Sequence, residues 1–202
     1  MGIGRVSCVL VSCIVVAACA APHRIVDRDD YLAEATRSYP AQDRERVIRA
    51  AEAVLKQSDP ADWDFRYTAE GFTGLRRYFV YAVLASASGR EKWEFNTELT
   101  NPATIKASIS VSESGISSGG YSSRPYEGSM SSIPLYRLFW SRVDYVLGRS
   151  QTWTTCQEAL DVLAAKNENA LALSGLCGPT SEGRDAPPPP QMPSPSARTT
   201  AR

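Results

Sequence analysis

The sequence holds a single histidine, His23, set near the N-terminus among charged residues. Serine–histidine or cysteine–histidine catalysis would have to use that residue, which excludes both in practice. No grouping of histidine, cysteine and carboxylate has zinc spacing, and no cofactor motif is present. Gly115 to Gly120 is glycine-rich but lacks the lysine and the strand–turn–helix setting of a phosphate loop. Excess charge is absent as well: 22 basic residues face 22 acidic ones. That balance argues against nucleic acid as a partner and against a polybasic membrane-binding surface. No apolar run reaches the roughly 20 residues of a membrane-spanning helix.

Carboxylates are the remaining catalytic candidates. Asp59, Asp62, Asp64 and Glu70 lie close in sequence, and a carboxyl pair can act on a glycan. Asp62 and Asp64 project from one side of an expected strand, however, which is the pattern of a solvated face. No catalytic residue and no metal ligand is assigned, and the chain is read as a non-enzyme.

Near the N-terminus the chain is richer in signal. Arg5 is followed by an uninterrupted apolar or small stretch from Val6 to Ala18, about 13 residues long. That suits the hydrophobic region of a signal peptide. The stretch ends in Val16-Ala17-Ala18-Cys19, which resembles the lipobox of bacterial lipoproteins: a branched aliphatic, two small residues, then cysteine. Val16 stands where leucine is usual. The resemblance implies cleavage before Cys19, a diacylglyceryl group on its thiol and acylation of the new amino group. Two or three acyl chains hold a protein on a membrane where one alone is marginal. Ala20, rather than aspartate, follows the cysteine, which in this family favours the periplasmic face of the outer membrane. Ordinary cleavage after Ala18 or Ala20, or an uncleaved anchor, is the alternative.

Of the 5 cysteines, Cys8 and Cys13 would leave with the signal and Cys19 would be lipidated. Cys156 and Cys177 remain as a pair, which in an exported chain reads as a disulfide.

The rest of the chain divides by composition. Residues 1–18 read as the signal peptide, 19–40 as a lipid-anchored tether, 41–178 as one globular domain, and 179–202 as a Pro-rich disordered tail. Val47, Ala50, Ala51, Val54 and Leu55 recur at helical spacing over 41–57. Alternation marks strands at 63–67, 91–100 and 105–112, and 75–87 is apolar on both faces, as in a central strand. Residues 113–132 read as a long Ser/Gly loop in which Tyr121, Arg124 and Tyr126 could grip a partner, or as a linker. Ile133–Leu147 carries an apolar helical stripe. Thr155 and Glu158 have capping-box spacing, and Asn167 and Asn169 offer a turn before Cys177.

The expected fold class is therefore α+β: an N-terminal helix, an antiparallel meander of about four strands, and two or three C-terminal helices on one face. The expected function is that of an interaction or accessory protein of an envelope transport, secretion or assembly system. Its partners would be the membrane, through the lipid, and another envelope protein. The alternative is a module for a small apolar ligand or lipid, in a cavity lined by Tyr78, Trp93, Phe95 and Phe139. A carboxylate-based cell-wall enzyme is the third reading.

Overall fold

A computed structural model describes residues 27–59, 63–82, 84–119, 122–177, 185 and 187. The signal peptide, Cys19 and Tyr121 lie outside the described residues, as does most of the tail. The first helix, α1 (Arg28–Glu34), starts at Asp27, whose carboxylate accepts the Asp29 amide at 2.8 Å. A short strand follows, β1 (Thr36–Pro40). Asp43 caps α2 (Arg44–Ser58) by accepting the Arg46 amide at 3.1 Å. Five strands come next in order: β2 (Trp63–Tyr67), β3 (Gly71–Ala82), β4 (Ala85–Asn101), β5 (Thr104–Gly119) and β6 (Ser122–Ser129). Ser132 caps α3 (Ile133–Val146), and Thr155 caps α4 (Cys156–Ala165) with a full capping box to Glu158. A short 3-10 turn, Ala170–Leu173, leads back to Cys177.

The strands form one antiparallel sheet in the order β1-β5-β4-β3-β2, with β6 also paired to β5. Pairing Trp93 with Val111 and Phe95 with Ile109 puts the apolar half of each alternation on one face. There α3 lays Phe139 on Trp93 and Trp140 on Phe95, with ring centroids 6.0 and 6.1 Å apart. Each such side chain contributes about 1.5–3 kcal/mol when fully buried. The apolar stripe of α2 is buried too, and Arg46 ties that helix to α3 by donating to the Leu147 carbonyl at 3.1 Å. Trp140 fixes α1 by donating to the Glu34 carbonyl at 2.8 Å.

The expected four-strand α+β layout is overturned: the molecule is β-rich, with six antiparallel strands and four α-helices among the described residues. Its first described helix is α1, in the stretch read as tether, and β1 follows it before the helix expected over 41–57. Residues 113–132, read as a loop, supply the far half of β5 and all of β6. Serine and glycine give these strands little propensity of their own; the ladder to β4 imposes the extended state. Residues 88–90, which separate the strands expected at 75–87 and 91–100, are inside β4, and the chain reverses between Ala82 and Ala85 instead.

Candidate functional site

The far halves of β3, β4, β5 and β6 form a four-stranded arm. Across it Tyr78 is level with Gly89, Gly89 with Gly115, and Gly115 with Tyr126. The two tyrosine hydroxyls hydrogen-bond over the glycines. A Cβ on Gly89 would lie 2.8 Å from the Tyr78 hydroxyl oxygen, and one on Gly115 would lie 2.7 Å from that of Tyr126. Glycine at both positions therefore makes room for the arch. Burial, then the bond to Tyr126, pushes the Tyr78 hydroxyl well above its ordinary pKa.

Beyond the arch the arm turns apolar and open. Phe79, Tyr81, Leu84 and Ile116 are 67%, 72%, 84% and 53% exposed. Neither Tyr78 to Ser88 nor Ile116 to Pro125 contains an acidic residue, and Arg124 is the one basic residue in the two segments. Single exposed apolar residues are ordinary, but several gathered on one projection mark an interaction surface.

Of the three residues expected to grip a partner, Tyr121 lies outside the described residues, and the other two differ in exposure. Arg124 is exposed on β6, whereas Tyr126 turns toward Tyr78 and supports the arm from within. Phe79, Tyr81, Leu84 and Ile116 were not singled out by sequence reasoning. Their signal was the apolar run from Tyr78 to Leu84, which reads equally as a buried central strand.

At the base of the arm lies a buried ion cluster. Arg76 donates to Asp59 at 3.3 Å and to Glu91 at 2.7 Å, and all three residues are nearly inaccessible. Trp93 donates its indole N–H to the second Glu91 oxygen at 3.1 Å. Glu113 is level with Glu91 on the next strand. Burial raises its pKa and the Glu91 charge raises it further, against a lowering hydrogen bond from Tyr78. These carboxylates are engaged in a closed network, not aimed at a cleft. Among the catalytic candidates, Asp59 turns inward to Arg76, Asp64 and Glu70 are exposed, and Asp62 lies outside the described residues. Among the described residues, no group of three or more His, Cys, Asp and Glu side chains is placed to hold a metal ion.

A separate groove of about 490 Å³ opens between α3 and α4. Leu138, Trp153, Ala159, Val162 and Leu163 line it, with Arg137 and Lys166 among its charged residues. The cavity expected among Tyr78, Trp93, Phe95 and Phe139 is filled: the last three are fully buried, and Phe139 meets both Trp93 and Phe95. Near the groove, Cys156 and Cys177 form a disulfide with α-carbons 5.6 Å apart.

The chain matches no family model, no curated protein and no solved structure. No helix among the described residues is long and apolar enough to cross a membrane.

Proposed function

We propose that this chain is a lipid-anchored cell-envelope protein that works without catalysis, as an accessory subunit of a transport, secretion or assembly system. In this reading Cys19 carries the lipid and holds the domain on the periplasmic face of the outer membrane. Another envelope protein, not nucleic acid, is the partner. The lipobox-like Val16-Ala17-Ala18-Cys19 supports the anchor, and the Cys156–Cys177 bond suits an oxidising compartment.

The observation that carries the reading is the arm. Its exposed apolar residues stand on four paired strands, so a partner meets a surface ordered in advance. Affinity capture from solubilised envelope, read by mass spectrometry, tests this. The wild-type chain should enrich a distinct envelope protein, and Tyr81→Ser with Leu84→Ser should lose it by about tenfold or more, as expected for removing large apolar contacts. Capture that is equal with both chains would overturn the role of the arm. Labelled fatty acid should enter the wild type and not Cys19→Ser; equal labelling would remove the anchor.

The groove between α3 and α4 favours a second reading, a module for a small apolar ligand. Its volume is within the range of ligand pockets and its lining is largely apolar. Quenching of Trp153 fluorescence by a titrated fatty acid would support it, and a flat titration would count against it.

A further inference from the structure

We infer that the edge of β3 beyond β2, which carries no strand among the described residues, pairs antiparallel with the same edge of a second copy of this chain, about a twofold axis at Val80, joining two arms into one continuous sheet. This goes beyond the accessory role proposed above and does not depend on it.

The neighbouring strand β2 reaches only to Trp63, which is level with Arg76. From Arg77 to Ala82, no described strand lies on the outer side of β3. Such an edge presents a row of unpaired N–H and C=O groups, a template for another strand. Six residues match the commonest strand length of about 5–6.

Sheet edges are normally guarded by charge, proline or bulges. The other edges of this sheet follow that rule. On β6 stand Arg124, Pro125 and Glu127, on β1 Arg37 and Pro40, and on β2 Asp64 and Arg66. From Tyr78 to Ala82, β3 has no proline, no glycine and no charge. It is aromatic and β-branched, the composition best suited to pairing.

The choice of a second copy rests on self-complementarity, which a twofold interface requires. An axis at Val80 sets Val80 against Val80 and Tyr78 level with Ala82. It also brings Phe79 level with the second copy's Tyr81, and Tyr81 level with its Phe79. Both aromatics lie on the sheet face away from the Tyr78–Tyr126 arch, since successive residues alternate. Aromatic pairs directly across strands are favourable. Arg77, the one charge on this edge, falls at opposite ends of the pairing. The two copies of it stand about 20 Å apart at about 3.4 Å per residue, beyond the Debye length of about 8 Å at physiological salt.

Cysteine cross-linking of the purified full chain tests the register. With Val80→Cys, facing α-carbons fall within disulfide range, so mild oxidation should give a reducible band at twice the monomer mass. Ser110→Cys, on an exposed position of the central part of β5, reports random collision and should give at least tenfold less. Adding Phe79→Lys with Tyr81→Lys sets lysine against lysine at two places and should abolish the band. Phe79→Lys with Tyr81→Glu sets opposite charges across the axis and should restore it, which loss of folding cannot imitate. A Val80→Cys band no stronger than that of Ser110→Cys, or failure of the opposite-charge pair to restore it, would overturn the inference. Neither outcome bears on capture of a different envelope protein.

Discussion

Arg142, on α3, donates a 3.1 Å hydrogen bond to the carboxylate of Asp185, 43 residues further along the chain. The guanidinium is 1% exposed and stacks 4.6 Å from the Trp153 ring centre. Its Nε donates to the Thr154 carbonyl at 3.0 Å. Burial pushes its pKa down to about 10, and the Asp185 charge opposes that shift. The side chain therefore remains charged at neutral pH. The same carboxylate accepts the Cys156 amide at 2.7 Å, at the N-terminus of α4, where a negative charge is favoured.

Asp185 lies in the stretch read as a solvated tail, and it holds a buried cation. Breaking a buried pair costs about 3–5 kcal/mol; the Asp185 side chain is 41% exposed, so the expected loss is smaller, about 1–2 kcal/mol. Asp185→Ala should lower the melting temperature by several degrees. Truncation from Ser181 also removes the Asp185 carbonyl that accepts the Trp153 indole N–H at 3.1 Å and should cost at least as much, and truncation from Pro188 should leave the melt unchanged. Identical melts for all three chains would show that the contact contributes nothing.

Reduction gives a second prediction. The Cys156–Cys177 bond spans 21 residues, a loop whose closure contributes about 3 kcal/mol in the chain-entropy model. The segment folds as α4, then a reversal at Asn167, whose φ of 54° is left-handed, then the 3-10 turn. Protein taken from the envelope should show no alkylatable thiol after unfolding without reductant. Its melting temperature should fall when reductant is added. Two free thiols in the unreduced chain would contradict both expectations.

Local signals made part of this fold legible. The stripe of α3 and the Thr155–Glu158 capping box are decided within one or two helical turns, and each occurs where the sequence places it. Other features depend on distant partners. Ser122–Ser129 has no apolar alternation, and β6 exists because β5 offers it a ladder. Tyr39 gives β1 its one buried anchor, against Trp140, in a five-residue strand otherwise polar or exposed. The candidate surface was misread for a related reason. Tyr78 to Leu84 is apolar on both faces, and composition does not distinguish a strand buried at the sheet centre from one exposed beyond it. Asp185 was invisible because its partner, Arg142, lies 43 residues away, and no local pattern marks which of the charged residues on α3 turns inward.

Acidity gives a third test, through Glu113. Its pKa lies above the ordinary 4.5, from burial first and the Glu91 charge second. The folded protein then binds more protons than the unfolded chain in a window that opens near 4.5. Stability contributed by the protonated group is complete below that window and is lost as pH rises through the folded pKa. Glu113→Gln removes the titration and keeps an acceptor for Tyr78. The variant should melt above wild type at pH 8, and the difference should vanish near pH 3.5. A variant less stable than wild type at pH 8 would mean that the charge is not opposed in the fold.

The arch between Tyr78 and Tyr126 yields the last prediction, which separates the arm from the helix-covered core. A Cβ on Gly115 would stand 2.4 Å from the Ser88 carbonyl oxygen and 2.7 Å from the Tyr126 hydroxyl oxygen. The tyrosine can swing away, but the carbonyl belongs to the neighbouring strand and moves only with the ladder. Gly115→Ala should therefore part β4 from β5 at that row and release the arch. Trp93, Phe95 and the helices above them lie on the other side of the ion cluster and keep their contacts. The damage should remain local, since regions with few buried contacts open independently of the core. Hydrogen exchange should quicken by about tenfold or more at the arm amides of residues 78–90 and 114–126, a local loss of about 1.4 kcal/mol, with little change at 93–97 and 135–146. Tyr126→Phe, which removes one hydroxyl and adds no bulk, should have a smaller effect, near the 0.5–1.5 kcal/mol of an ordinary hydrogen bond or about less. If Gly115→Ala unfolds the whole domain in step with the arm, the two are one cooperative unit and the arm is not a separable surface.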